Sequence, residues 1–404
     1  MTTITDPPQG AFRLSMLIND TRYRSYTFQF IALLALISAF AYLGSNLFSN
    51  LAAAGLNISY GFLGTPAGYD INQTLVEYNS QSTNARAALV GILNTLLVAF
   101  LACVTATVFG VVAGVLRLSN NWLVSKLMSF YVEIFRNIPV LIWIIIIFTI
   151  MIAVLPGPRA FRGDEPEASM FLNAIAFTNR GVYIPAPVWG PGSMLVVATF
   201  ILSVIGVFAY RRYATKLLYD TGRLLPMGWP SLAILFVPTL LIYFVMGMPI
   251  GLDYPELKGF NFAGGIKVGG PLIALWFALS IYTGAFIAEN VRAGIQAISK
   301  GQTEAAGALG LRSGRIMNLV VLPQALRVII PPLISQYLNI TKNSSLAIAV
   351  GYADITATLG GITLNQTGRA IECVLLLMLF YLTISLSISA VMNVYNNSVK
   401  LKER

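Results

Sequence analysis

SKGQTEAAGALGLRSGRIMNLVVLPQALRVIIPPL, residues Ser299 to Leu333, interrupts a chain otherwise dominated by long apolar runs. The segment is polar and basic, turns at Gly310 and Gly314, and runs into Pro323 before the next apolar run. Its first half reads as a short helix. Ser299 with Gln302 three positions on fits a capping box, and Gly310 is placed to end the helix. Ala305, Ala308, Leu309 and Leu311 fall on one stripe of it. A helix of about nine residues is marginal alone in water and needs something to dock on. The segment therefore reads as a rigid handle on the cytoplasmic side of a membrane bundle. A loop helix lying on the bilayer is the plainer alternative.

The rest of the chain sets that context. Of 404 residues, 56% are hydrophobic and 10% charged, and the mean hydropathy is +0.74. A soluble domain carries about 25% charged residues, so burial in a soluble core does not account for this composition. The apolar runs are about 20 residues long and lack the alternation of barrel strands, which leaves an all-α, polytopic membrane bundle. The net charge of +10 gathers in loops, as the positive-inside rule expects, and so does not imply a nucleic-acid partner. The chain has no histidine, which excludes His-based catalysis and His metal sites. Cys103 and Cys373 lie in apolar runs and read as packing residues. The first apolar run reads as a retained signal anchor.

Eight spans are expected, at about 28–49, 87–116, 130–155, 193–210, 229–250, 271–291, 325–350 and 371–395. The fourth is expected to stop at Arg211 and Arg212. With both termini inside, the inner segments collect eighteen of the 26 Lys and Arg, counting Arg136 and Arg327 at inner helix ends. Arg117, Arg211, Arg212 and Arg223 read as topology determinants, and Trp143, Trp189, Trp229 and Trp276 as interfacial or packing aromatics.

Within the handle, Glu304-Ala305-Ala306, three residues, Gly310, nine residues, then Val320-Val321-Leu322-Pro323 resembles the EAA signature of ABC importer permeases. Val320 stands where Ile is usual. ENVRAGIQAISKGQTEAAGALG (289–310), LPQALRVIIPPLISQYLNITKNSSL (322–346) and YVEIFRNIPVLI (131–142) are similar to the polar and general L-amino-acid uptake branch of that family. The resemblance implies a type I ABC importer-like core in two parts, 87–155 and 271–396, with a coupling helix at 299–314. Around it lie a cytoplasmic tail (1–27), an extra first transmembrane helix with a periplasmic loop (28–86), an inserted periplasmic loop and transmembrane hairpin (156–270), and a second cytoplasmic tail (397–404).

The resemblance further implies a permease subunit that moves L-amino acids across the bacterial inner membrane. Its partners would be ABC ATPase subunits, a second homologous permease in a heterodimer, and a periplasmic amino-acid-binding protein. Glu304 would bond to the ATPase surface, Ala305 and Ala306 would allow close approach, and Gly310 with Leu311 would make the exit from the coupling helix. No G-x-x-x-x-G-K-[ST] loop is present, so ATP and Mg would be used by the partner ATPase, and this chain would bind no cofactor and be no enzyme.

The handle runs directly into a polar span. Gln336, Asn339 and Asn343 recur at helical spacing. A lipid-facing position would be costly for them, so they are candidates to line the substrate pathway, together with Lys342, Ser344, Ser345 and Asp354. Lys342 either meets a substrate carboxylate, pairs with Asp354 or snorkels to the interface; the amides and hydroxyls either bind substrate or join helices. Pro331 and Pro332 are expected to break the inner part of this helix. An ion-coupled secondary transporter is the alternative function. An intramembrane enzyme lacks a nucleophile–base pair.

Overall fold

The computed structural model describes residues 16–55, 57–163 and 165–399. Residues 1–15 and 400–404, which carry much of the two expected cytoplasmic tails, lie outside them. Two compact units are present, one ending at Gly61 and the other beginning at Phe62. The first contains a short turn, α1 (Met16–Asn19), and α2 (Thr21–Ala53). The spanning part of α2 buries none of its residues inside the protein, as an apolar helix surrounded by lipid would.

The second unit is built on α3 (Asn84–Leu116), α4 (Trp122–Asn137), α5 (Val140–Val154), α6 (Ser193–Thr221), α7 (Gly228–Val245) and α8 (Gly270–Gln296). Then come α9 (Lys300–Ala308), α10 (Ser313–Ile316), α11 (Leu322–Asn343), α12 (Leu364–Thr367) and α13 (Ala370–Val399). Among the described residues seven helices are long and apolar enough to cross a membrane, or eight if α4 and α5 count as one broken span.

The bundle's centre is the α3–α8 pair. Val98, Ala102 and Ala106 of α3 and Leu275, Leu279 and Ile287 of α8 are fully buried in one core. Without a hydrophobic force between helices in lipid, small residues that let backbones approach supply the packing. Gly110 is the tightest such point: a Cβ there would lie 2.5 Å from the Ile287 Cβ and 2.9 Å from the Gly284 carbonyl oxygen. Hydrogen bonds supplement the packing. The Trp276 indole N–H donates to Thr105 Oγ1 at 3.0 Å, and the Tyr131 hydroxyl of α4 donates to the Ile281 carbonyl at 2.6 Å.

Four expectations need correction. The span expected over 130–155 is two helices meeting at a 107° bend. Pro139 caps the start of the second helix, and the residue before it, Ile138, is extended (φ −108°, ψ 132°), the conformation that a following proline favours. The fourth span does not stop at Arg211 and Arg212; α6 continues to Thr221, ended by Gly222 at φ 71°. Arginine is a good helix former, so a charge marks the membrane edge and not the helix end. Pro331 and Pro332 do not break α11, which is helical throughout. Each proline forgoes the N–H bond that a helix interior makes to the carbonyl four residues back, yet the chain stays helical across both.

The fourth concerns the insertion, read from sequence as loop plus helical hairpin, which also contains seven short strands. β1 (Ala176–Thr178), β2 (Gly181–Ile184) and β7 (Ile266–Gly269) form an antiparallel sheet. β3 (Ala186–Trp189) pairs with β4 (Ile250–Asp253), and β5 (Glu256–Lys258) with β6 (Asn261–Ala263). Tyr183 and Phe262 are the buried centre, and the Tyr183 hydroxyl donates to Asn261 Oδ1 at 2.7 Å. The sheet and the handle sit at opposite ends of α8, since β7 leads straight into its start and α9 follows its end.

Candidate functional site

The handle folds as a nine-residue helix, α9, with Ser299 in the extended N-cap conformation (φ −64°, ψ 139°). The capping box does not form. The Ser299 hydroxyl makes no cap hydrogen bond; the Gln302 N–H that it would take donates instead to the Ser299 carbonyl at 3.2 Å. The other end matches expectation. Gly310 has φ +76°, and its N–H donates to the Gly307 carbonyl at 2.9 Å while that of Leu311 donates to Ala306 at 3.4 Å. These two bonds make a Schellman motif, which needs the left-handed residue that glycine supplies. Gly314 does not turn the chain; it lies within α10.

This geometry sorts the handle's residues by direction. Ala306 faces inward at 7% exposure, whereas Leu309 is 82% exposed. Glu304, Ala305 and Ala308 are exposed beside it, and Leu311 is half-buried. Among the described residues Glu304 forms no ion pair. The helix thus presents an acid, two alanines and a leucine to whatever lies outside, from a backbone fixed at its far end.

From α10 the chain passes through a wider turn (Met317–Val321) into α11. Val328, Pro332, Ser335, Asn339 and Lys342 form one exposed face of α11, at alternating spacings of four and three. The opposite face, including Ala325, Ile329 and Ile340, is buried against the core. Gln336 and Asn343 are half-buried at the edge of the open face, and Ser345 is half-buried with its hydroxyl on the Lys342 carbonyl at 2.7 Å. Ser344 is fully buried and bonds the Thr341 carbonyl at 2.7 Å. Asp354 is also fully buried, its Oδ1 capping the following segment by accepting from the Ala357 N–H at 2.8 Å. Among the described residues no ion pair joins Lys342 to Asp354.

The segment after α11 is locked to the start of α3. Asn94 Nδ2 donates at 2.9 Å to both the Gln73 and the Ala353 carbonyls. The Tyr352 hydroxyl donates to the Asn94 carbonyl at 3.0 Å, and the Ile355 N–H to Thr95 Oγ1 at 3.1 Å. Gly91 permits this approach, since a Cβ there would meet Thr358 Oγ1 at 2.2 Å.

Comparison with known proteins decides the family. Residues 203–401 match the family described as binding-protein-dependent transport system inner membrane component. The glutamate/glutamine/aspartate/asparagine transport system permease protein of Rhodobacter capsulatus is 52% identical, over 100% of this chain and 100% of that one. The chain belongs to the amino-acid ABC transporter permeases. The general L-amino acid transport system permease protein of Rhizobium johnstonii is 44% identical over 99% of this chain and 98% of its own. A putative amino-acid ABC transporter permease protein of Escherichia coli K12 is 43% identical over 96% and 98%. These full-length matches include the insertion between the two parts of the core. The permease is the membrane-spanning, non-catalytic part of its transporter.

One feature of the permease escaped sequence reasoning. Arg117, read from sequence as a topology determinant, is also a structural charge: its side chain is 11% exposed and pairs with Glu289 of α8. Arg292 binds the same carboxylate twice, at 2.5 and 3.2 Å, and also reaches Gln296 Oε1 at 2.6 Å. Arg136 of α4 lies 4.0 Å from Glu289 and stacks over Phe286 at 5.3 Å. One carboxylate therefore gathers guanidinium groups from the C-cap of α3, from α4 and from α8 at the handle end of the bundle. Arg292 is one helical turn from Glu289, but Arg117 and Arg136 stand far from it in sequence and reach it only through the packing of the helices.

Proposed function

We propose that this permease carries L-amino acids across the bacterial inner membrane with α9 on the cytoplasmic side, seated in a groove of a partner ATPase. The observation that carries the reading is the exposed Glu304–Leu309 face of α9, built on a backbone held by Ala306 and the Gly310 turn. An exposed leucine on a rigid helix is a natural anchor for a hydrophobic groove, and Glu304 beside it is free to bond a cationic or N–H group. Both termini are cytoplasmic in this orientation, which places the basic end of α6 inside as well.

A second, similar permease faces the open side of α11. A polar face exposed to lipid is costly, and a partner helix across a water-lined path removes that cost. Gln336, Asn339, Lys342, Asn343 and Ser345 then line or border the pathway, while the fully buried Ser344 and Asp354 shape it from behind. The partner ATPases bind and hydrolyse ATP with Mg, and a periplasmic binding protein delivers substrate. Glutamate, glutamine, aspartate and asparagine, the set in the name of the Rhodobacter relative, are the first substrates to test.

Purification of the tagged chain from its native membrane in mild detergent tests the assembly. A phosphate-loop ATPase and a second permease should co-purify, and Leu309→Asp should lose the ATPase while keeping the second permease. Retention of the ATPase by that variant would remove α9 as the contact. Uptake that collapses with an ionophore at constant ATP would favour ion coupling instead.

A further inference from the structure

At the end of the bundle opposite α9, a cavity of about 440 Å³ opens between the core and the inserted sheet. Its walls come from the loop before α3 (Asp70, Asn72, Gln73), the β1–β2 turn (Arg180) and β7 (Lys267), with Tyr352 in its lining from the segment after α11. The walls are tied together. The Gly269 N–H donates to Gln73 Oε1 at 3.1 Å, which joins the sheet to the loop. Asn94 binds the Gln73 and Ala353 carbonyls with one amide, so the loop and the segment behind it are both anchored to α3. The Arg180 guanidinium is steadied by donating to the Phe260 carbonyl at 3.2 Å.

The charges in this lining are two cations and one anion, and among the described residues none of the three forms an ion pair. A concave site of several hundred Å³ suits a small molecule better than a protein surface. The complementary ligand has two anionic groups and one cationic group. A free amino acid with a side-chain carboxylate has that constitution; a neutral amino acid leaves one cation unmatched. We propose that the inserted sheet builds an outer receiving site for dicarboxylic L-amino acids, in which Asp70 takes the α-ammonium and Arg180 and Lys267 take the two carboxylates. The proposal rests on the amino-acid importer reading above and assigns the insertion a part in substrate choice. The lining segment around Tyr352 is hydrogen-bonded to α3 and continues from α11, so an occupant touches the elements that line the proposed path.

The test uses the assembled transporter in proteoliposomes, with ATP inside and its binding protein outside, loaded with L-glutamate or with L-glutamine. Wild type should take up both. Arg180→Gln with Lys267→Gln should lower the glutamate-to-glutamine ratio of uptake kcat/KM about fivefold, as expected for exposed charge pairs of modest strength. Arg180→Lys with Lys267→Arg should keep the wild-type ratio, which separates charge from folding. Asp70→Asn should slow both substrates. An equal fall for both substrates in the neutral double variant, with weaker capture of the binding protein, would overturn the proposal in favour of a docking face. An unchanged ratio would overturn it too, as would wild-type uptake of glutamine without glutamate. Uptake of neither by wild type would overturn the importer reading itself.

Discussion

Glu289 meets three guanidinium groups at the handle end of the bundle. It compensates Arg117, whose side chain is almost fully enclosed, and Arg292. Glu289→Gln should destabilise the protein by about 2 kcal/mol, the scale of a lost hydrogen bond to a charged group together with a stranded cation. Thermal unfolding of the purified complex in detergent would register the loss, and an unchanged midpoint would show the cluster to be incidental. Arg117→Met together with Glu289→Gln should regain much of it, because removing both partners strands less charge than removing one. A second prediction concerns volume. Gly110→Val should cost about 1–3 kcal/mol through overpacking against Ile287 and the Gly284 backbone, read as lower folded yield by size-exclusion chromatography. Neither weakness could be found in the sequence. Arg117 and Glu289 are 172 positions apart, and nothing near either names its partner, whereas the helices that bring them together were legible as apolar runs.

Among the elements, α9 was the most legible and is the most exposed to test. Gly310→Val should end ATP-driven uptake while membrane insertion persists, because valine cannot hold φ +76° without strain and the helix would lose its exit. Gly310→Asn should retain a substantial part of the activity, since asparagine tolerates the left-handed region. Equal uptake by the valine variant and wild type would mean that the turn is not part of coupling. Its glycine, like the bend at Pro139, has a local stereochemical signature in the sequence. The failed capping box shows the limit of such signatures: Ser299 and Gln302 have the right spacing, but the N–H donates to a backbone carbonyl instead. The strands were illegible for another reason. β1 to β7 are three or four residues long, too short for alternation to emerge among the prolines and glycines of that stretch.

At the scale of the whole molecule, residues 156–270 divide into parts that pack differently. α6 and α7 pack mainly on each other, and neither supplies a residue to the α3–α8–α11 core cluster. If both cross the membrane, as their length and composition allow, they leave and regain the same side of it, and removing both preserves the topology of everything after them. The chain enters and leaves this hairpin through paired strands: Trp189 is opposite Ile250, and the Gly190 N–H donates to the Pro249 carbonyl at 2.8 Å. The two ends of residues 190–249 are therefore already adjacent, and an Asn-Gly turn of the kind that closes two-residue β-hairpins can join β3 to β4. Such a variant should fold, assemble and retain ATP-driven uptake, and it should also keep the wild-type preference between glutamate and glutamine, since Arg180 and Lys267 lie outside the excised stretch. Loss of folded protein would show that the hairpin supports the core through lipid or a partner chain. Loss of uptake from a folded, assembled variant would place the hairpin in the transport cycle, and a changed preference would move the receiving site away from the sheet.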